Sequence, residues 1–188
     1  MQLPGEVKRH LANGARIIDE VSKRNKYTYM SCDLDCASFP DPIWEKGAPL
    51  PDEILNILNH LPEKSFPALY YFEILSDIDK NLILKAYQEM KEDKTIGRAC
   101  SALKKKPPTT TNVLYVGKVK NDTQGRVKVH LGYYHNGVTS GLQLVCWSKL
   151  IKLKLRLHVF HFEEDMAPYI SILELPLANA LNPMIGKQ

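Results

Sequence analysis

The central part of the chain holds the grouping of side chains with the most potential for chemistry. Tyr115 lies in the apolar run Val-Leu-Tyr-Val, which is typical of a strand, and Gly117 ends that run. Arg126 and His130 follow four residues apart, so both side chains lie on one face if this piece is helical. A phenol, a guanidinium and an imidazole together could bind and cleave a phosphodiester. They could also form only a basic surface turn. The elements around them must distinguish between these two interpretations.

Charge is concentrated in the same part of the chain. Residues 101–160 hold eleven Lys and Arg residues and a single acid, Asp122, which gives a local net charge of +10. The remaining residues hold fourteen Lys and Arg and twenty acids, which gives −6. A basic patch of this kind suits a polyanion such as nucleic acid. The alternative is a solvated basic face that binds nothing.

The apolar periodicity predicts helices and strands in mixed order. Helices are expected at residues 5–24, 51–61, 78–94, 139–149 and 169–180, and strands at 66–75, 113–116 and 152–162. Residues 25–50 are predicted to be loop, with at most one short strand at 27–30. Pro176 should kink the last helix or mark a restart. The order predicts an α+β fold, in which a small, largely antiparallel sheet is flanked by helices.

Composition excludes several classes of protein. The longest apolar runs are too short to span a bilayer, and the first ten residues lack the apolar stretch of a secretory signal. Cys32, Cys36, Cys100 and Cys146 lack the spacing of a zinc site, so free thiols in a reducing compartment are expected. We therefore expect a cytoplasmic protein with no membrane partner.

Two short motifs resemble those of the GIY-YIG nuclease superfamily. Ala68-Leu69-Tyr70 stands where the first motif of that family would lie, and Tyr115-Val116-Gly117 where the second would. Arg126 follows Tyr115 by eleven residues, near the spacing of the arginine in the helix that follows the second motif. His130 comes one turn later, as in the restriction-enzyme branch of the family. Because side chains alternate along a strand, only one of Tyr70 and Tyr71 can face the site.

The resemblance also implies a division of the chain. Glu174 looks like the metal-binding glutamate of the final helix, and Asn182 like the polar residue near the end of the domain. The nuclease-like domain would span residues 66–188, after a helical or irregular N-terminal region at 1–65. Because 44 residues separate Tyr70 from Tyr115, a helical insertion at about 77–110 is expected between the first two sheet strands.

The chemistry implied by the resemblance is hydrolysis of a phosphodiester. Glu174 would hold Mg²⁺ or Mn²⁺, and Arg126 would bind the phosphate as it gains charge. Tyr70 or Tyr115 would orient or deprotonate the attacking water, with His130 as the alternative proton carrier. Contacts to nucleic acid are expected from Lys118, Lys120, Lys128 and Asn182.

The sequence thus predicts a metal-dependent endonuclease acting on DNA, with RNA left open and a homodimer as a further expectation. The first alternative is a non-catalytic nucleic-acid-binding module on the same fold. The second is a plain α+β interaction domain, in which the tyrosines are core residues and the basic segment contacts an acidic protein.

Overall fold

A four-stranded antiparallel sheet organises the molecule in the computed structural model, which describes residues 5–24, 26–61, 66–135 and 137–187. The strands lie in the order β1-β4-β2-β3. Their bounds are Tyr27–Asp35 for β1, Ala68–Ile74 for β2, Val113–Val119 for β3 and Lys154–Phe162 for β4. The helices are α1 at Gly5–Arg24, α2 at Asp52–Asn59, α3 at Lys80–Glu92, α4 at Thr123–Leu131 and α5 at Ile170–Leu181. The α+β fold with a helical N-terminal region is therefore confirmed.

The two faces of the sheet have different partners. On one face, alternate residues of β4, Leu155, Leu157 and Val159, are fully buried with side chains of α2, α3 and α4 in the main core. The other face meets α1 and α5, which form smaller apolar clusters that include Leu69 and Val116. The period-2 alternation predicted for the last strand is thus present, because one face of β4 packs against a continuous core.

The insertion between the first two strands of the predicted domain is confirmed in position. β2 and β3 pair as antiparallel neighbours, and α3 lies between them in the chain. Its side chains Ile83 and Tyr87 are fully buried in the main core, and Tyr87 donates a hydrogen bond to the Ser101 carbonyl at 2.8 Å. The insertion is therefore an integral part of the packing and not a separate excursion.

The largest difference between the predicted and the observed elements lies in residues 25–50. β1 is nine residues long and pairs with β4 over its whole length, where at most a four-residue strand was expected. Only Leu34 in β1 is fully buried, so most of the strand offers little apolar signal. The division of the chain at residue 65 stays a prediction, although β1 precedes that point and belongs to the same sheet.

The predicted helix at 139–149 is wrong. Only Leu144–Cys146 forms a short 3-10 turn, and Gln143 before it has a φ of 53°, in the left-handed region. That conformation cannot continue a right-handed helix. In contrast, α5 runs without a restart through Pro176. Within the described residues, no helix combines the length and apolarity required to cross a membrane.

Candidate active site

Tyr70 lies at the centre of the candidate site. It sits on β2, it is fully buried, and its side chain points to the main-core face of the sheet. Its hydroxyl oxygen lies 3.0 Å from Arg126 Nε, which donates to it, and 2.9 Å from His130 Nε2. Tyr71 points to the opposite face, as strand alternation requires, so Tyr70 is the member of the pair that joins the polar cluster.

The hydrogen bonds of His130 determine its tautomer. The backbone N–H of Leu142 donates to His130 Nδ1 at 3.2 Å, so that nitrogen carries a lone pair. The neutral ring therefore has its hydrogen on Nε2 and donates to the Tyr70 oxygen. Complete burial, together with the charge of Arg126, lowers the pKa of His130 well below its ordinary value. His130 is thus a neutral donor that positions Tyr70, and the alternative role of proton carrier, which the resemblance implies, does not fit this geometry.

Arg126 holds three groups of the site together. Besides the bond to Tyr70, its Nη1 donates to the Ser140 carbonyl at 2.7 Å and its Nη2 donates to the Tyr115 hydroxyl at 3.4 Å. The helix that carries it, α4, begins at a side-chain cap, where Asp122 accepts a hydrogen bond from the Gly125 N–H at 2.8 Å. The guanidinium therefore has a fixed position at the first turn of α4.

Gly117 allows the two tyrosines to approach β3. A Cβ atom at this position would lie 2.5 Å from the Tyr70 hydroxyl oxygen and 2.8 Å from Tyr115 Cε1. Both distances are far shorter than any ordinary contact, so a side chain would push the tyrosines out of place. The glycine of the second motif is thus required here by space. The strand end predicted at this glycine is wrong, because β3 continues through Gly117 to Val119.

The tyrosines are surrounded by rings and are poorly hydrated. Tyr115 is 9% exposed, and its ring centroid lies 4.7 Å from that of His130. Burial, and then the proximity of Tyr115, raise the pKa of Tyr70 far above its ordinary value, against the opposing charge of Arg126. Tyr70 is therefore a neutral phenol whose oxygen already accepts two hydrogen bonds. Its own hydroxyl hydrogen remains available to donate.

Glu174 approaches the site from the other side of the sheet. It lies on α5, its side chain is 15% exposed, and its carboxylate forms a close ion pair with Lys118 of β3. Its negative charge is among the smaller causes that raise the pKa of Tyr70. No group of three or more His, Cys, Asp or Glu side chains capable of holding a metal occurs in the described part of the chain.

The remaining predicted site residues lie in different surroundings. Lys118 is engaged with Glu174, Lys120 is exposed just beyond β3, and Lys128 lies with its Nζ 5.8 Å from the Tyr134 ring centroid. Asn182 is the left-handed C-cap of α5, with a φ of 46°, and lies near the start of β3. Ile185, three residues further on, forms a bridge with Tyr115, so the chain after Asn182 runs beside β3 toward the cluster.

A groove of about 220 Å³ beside Arg126 was not predicted. Asn121, Asp122, Gly125, Arg126, Val129, Tyr134 and Thr139 line it. The sequence did not single out Tyr134 or Thr139, because in the structure both follow α4 in an irregular segment, whereas Thr139 was predicted to begin a helix. The groove gives the guanidinium of Arg126 an open side next to the buried cluster.

No family model matches the chain, and neither a curated protein nor a solved structure does.

Proposed function

We propose that the protein is a metal-dependent endonuclease that hydrolyses phosphodiester bonds in DNA, with a site of the GIY-YIG type. The supporting observation is the meeting of Tyr70, Arg126 and His130 at a single hydroxyl oxygen, packed over Gly117. Two donors at that oxygen fix the phenol, and they would stabilise negative charge on it as a proton leaves. This arrangement suits the orientation of an attacking water or a phosphate oxygen.

Each residue of the cluster has its own task in the proposed reaction. Arg126 would stabilise the charge that develops on the phosphate, because its planar fork matches phosphate oxygens. Tyr70 would orient the water, and Tyr115 would hold the guanidinium from its second side. His130, neutral and buried, would keep Tyr70 in position and would not itself take up the proton.

The residues present fit a Mg²⁺ or Mn²⁺ ion held by a single carboxylate. Glu174 offers hard oxygen ligands, and its carboxylate already has a cationic partner in Lys118, which supports a role in binding a cation. When bound there, the ion would supply charge to the phosphate and to the leaving oxygen. Lys118 would have to turn from Glu174, and it would then be free to contact a phosphate.

DNA is the proposed substrate, and exposed cations near the site support a nucleic acid of either kind. Lys120 is exposed beside the cluster, and Lys128 with Tyr134 borders the groove next to Arg126. Backbone contacts of this kind hold a duplex without selecting its sequence. We further propose a cytoplasmic homodimer, because two copies would bring one site to each DNA strand. Sedimentation of the protein with and without a duplex measures that assembly.

The decisive experiment is cleavage of supercoiled plasmid with Mg²⁺, using EDTA as the control. Nicked or linear DNA that forms only with Mg²⁺ is the expected result. Glu174→Gln should abolish cleavage yet leave DNA retention on a filter nearly unchanged, whereas Glu164→Gln, at an exposed carboxylate outside the site, should cleave normally. Cleavage by Glu174→Gln at the normal rate would remove this residue from the site.

The ion pair between Glu174 and Lys118 favours one alternative. If Lys118 stays on the carboxylate when DNA binds, no metal can occupy it, and the molecule is a non-catalytic nucleic-acid-binding module. Salt-sensitive DNA retention without cleavage in either Mg²⁺ or Mn²⁺ would establish that function. The absence of both cleavage and retention would instead favour a protein-interaction domain.

A further inference from the structure

A second polar chain lies on the sheet face opposite Tyr70, toward β1. The Tyr29 hydroxyl is 2.8 Å from His158 Nδ1, and His158 Nε2 is 2.9 Å from a carboxylate oxygen of Glu73. The three residues come from three different strands, β1, β4 and β2, at neighbouring positions of the sheet. None of them takes part in the proposed cleavage site.

The hydrogen bonds define the direction of this chain. A carboxylate can only accept, so His158 Nε2 carries the hydrogen that is donated to Glu73. The neutral ring then has its lone pair on Nδ1, where it accepts from the Tyr29 hydroxyl. A hydroxyl, an imidazole and a carboxylate in this order form the arrangement that activates a nucleophile in covalent catalysis.

The surroundings fix the imidazole but leave the hydroxyl open. The His158 side chain is 9% exposed and lies under Tyr71, whose ring is parallel to it within 10° at a centroid distance of 4.2 Å. Tyr29, in contrast, is 49% exposed. A buried base beneath an exposed hydroxyl can receive a proton while the oxygen attacks an incoming molecule.

The neighbouring groups favour a neutral, apolar reactant. Glu73 places negative charge next to His158, and the neighbouring cation, the guanidinium of Arg156, is already bound by both oxygens of Asp33, at 2.6 and 2.9 Å. An anionic phosphoryl donor would therefore be repelled. Phe160, whose ring centroid lies 5.1 Å from that of Tyr29, also lines an apolar cavity of about 380 Å³ under α1 and α5.

We propose that Tyr29, His158 and Glu73 form a second, nucleophilic site, at which Tyr29 is acylated by neutral esters that carry an apolar acyl group. The Tyr29 oxygen attacks the carbonyl carbon, and its proton passes to His158 Nδ1. The ester C–O bond then breaks, and the leaving alcohol takes that proton. The products are an acylated Tyr29 and the free alcohol. Glu73 is a positioning residue, which holds the imidazole in the tautomer that the step requires.

The chain supplies its own reference residue for a test. Tyr27 lies two residues earlier on the same face, is 43% exposed and lacks a histidine partner among the described hydrogen bonds. The full-length protein is treated with p-nitrophenyl butyrate, without metal or DNA, and acylation of both tyrosines is followed by peptide mass spectrometry. Tyr29 should react at least about tenfold faster than Tyr27, since general base assistance contributes that much or more. Equal rates would overturn the proposal.

Two variants test the hydrogen-bonded relay, and a second ester tests the substrate class. Glu73→Gln keeps the shape of the side chain but can donate to Nε2, which reverses the tautomer, so Tyr29 acylation should fall to the rate of Tyr27. His158→Gln removes the base and should do the same, with circular dichroism to check its fold. An unchanged Tyr29 rate in Glu73→Gln would overturn the relay. The p-nitrophenyl ester of succinate, of similar length but anionic, should react more slowly than butyrate; an equal or faster reaction would overturn the assigned substrate class.

Discussion

The hydroxyl of Tyr70 is the single group on which the candidate site depends. Tyr70→Phe removes only this oxygen, and it leaves the buried N–H groups of Arg126 Nε and His130 Nε2 without their acceptor. We expect a loss of about 1–3 kcal/mol in the free energy of unfolding, measured by urea titration, because unsatisfied buried donors are costly. Plasmid cleavage should also disappear.

Tyr71→Phe is the matched control for that prediction. Tyr71 is the next residue on the same strand, but it is half-buried on the opposite face and stacks on His158. Loss of the Tyr71 hydroxyl should leave cleavage intact and change the free energy of unfolding by about 0.5 kcal/mol or less. If both variants cleave equally well, Tyr70 is a core residue and the proposed chemistry at its hydroxyl is wrong.

His130 should make stability depend on pH. Burial lowers its pKa in the folded state well below 6.5, whereas the unfolded chain binds a proton near that value. The unfolded state therefore holds more protons as pH falls below about 6.5, and the free energy of unfolding should decrease by about 1.4 kcal/mol per pH unit from this group. His130→Gln should flatten that dependence by this amount in urea titrations between pH 7 and pH 5. An unchanged slope would mean that His130 is not held neutral by the fold.

At the scale of elements, the strands and helices that the sequence predicted correctly are those with a regular apolar period. β4 was predictable because Leu155, Leu157 and Val159 alternate with polar residues against one core. β1 was largely missed, since its outward face carries Tyr27 and Tyr29 and its inward face is only partly buried. The false helix at 139–149 had suitable apolar spacing, but periodicity cannot detect a left-handed residue such as Gln143. Local pattern thus identifies strongly periodic elements and fails where an edge strand or a single dihedral angle decides.

The packing of α3 can be tested by two neighbouring substitutions. Ile83→Ala should cost about 2–5 kcal/mol of unfolding free energy, because Ile83 is fully buried in the main core and its truncation leaves a cavity. Leu82→Ala, at a side chain that is 45% exposed on the same helix, should cost about 1 kcal/mol or less. Urea titration measures both. Equal small losses would show that α3 is a separable excursion after all.

At the scale of the whole molecule, the candidate site wraps around an edge of the sheet. Tyr115 and Lys118 lie an odd number of residues apart on β3, so they point to opposite faces, but the predicted strand ended before Lys118 and did not include it. Which helix covers which face is decided by long-range packing that no local pattern encodes. The pairing of Lys118 with Glu174 of α5 was therefore not predictable.

The uneven charge of the chain should make DNA binding depend on the salt concentration. DNA binding should weaken as salt rises, with a log-log slope of about −0.9 for each phosphate neutralised, because counterions are released from the duplex. Lys120→Ala removes an exposed cation beside the proposed site and should reduce the magnitude of that slope by about one. Lys8→Ala, at an exposed lysine of α1 outside the basic segment, should leave the slope unchanged. Fluorescence anisotropy of a labelled duplex between about 50 and 200 mM salt separates the two. If both variants lower the slope equally, binding is spread over the whole surface, and the concentration of positive charge in residues 101–160 does not define the interface.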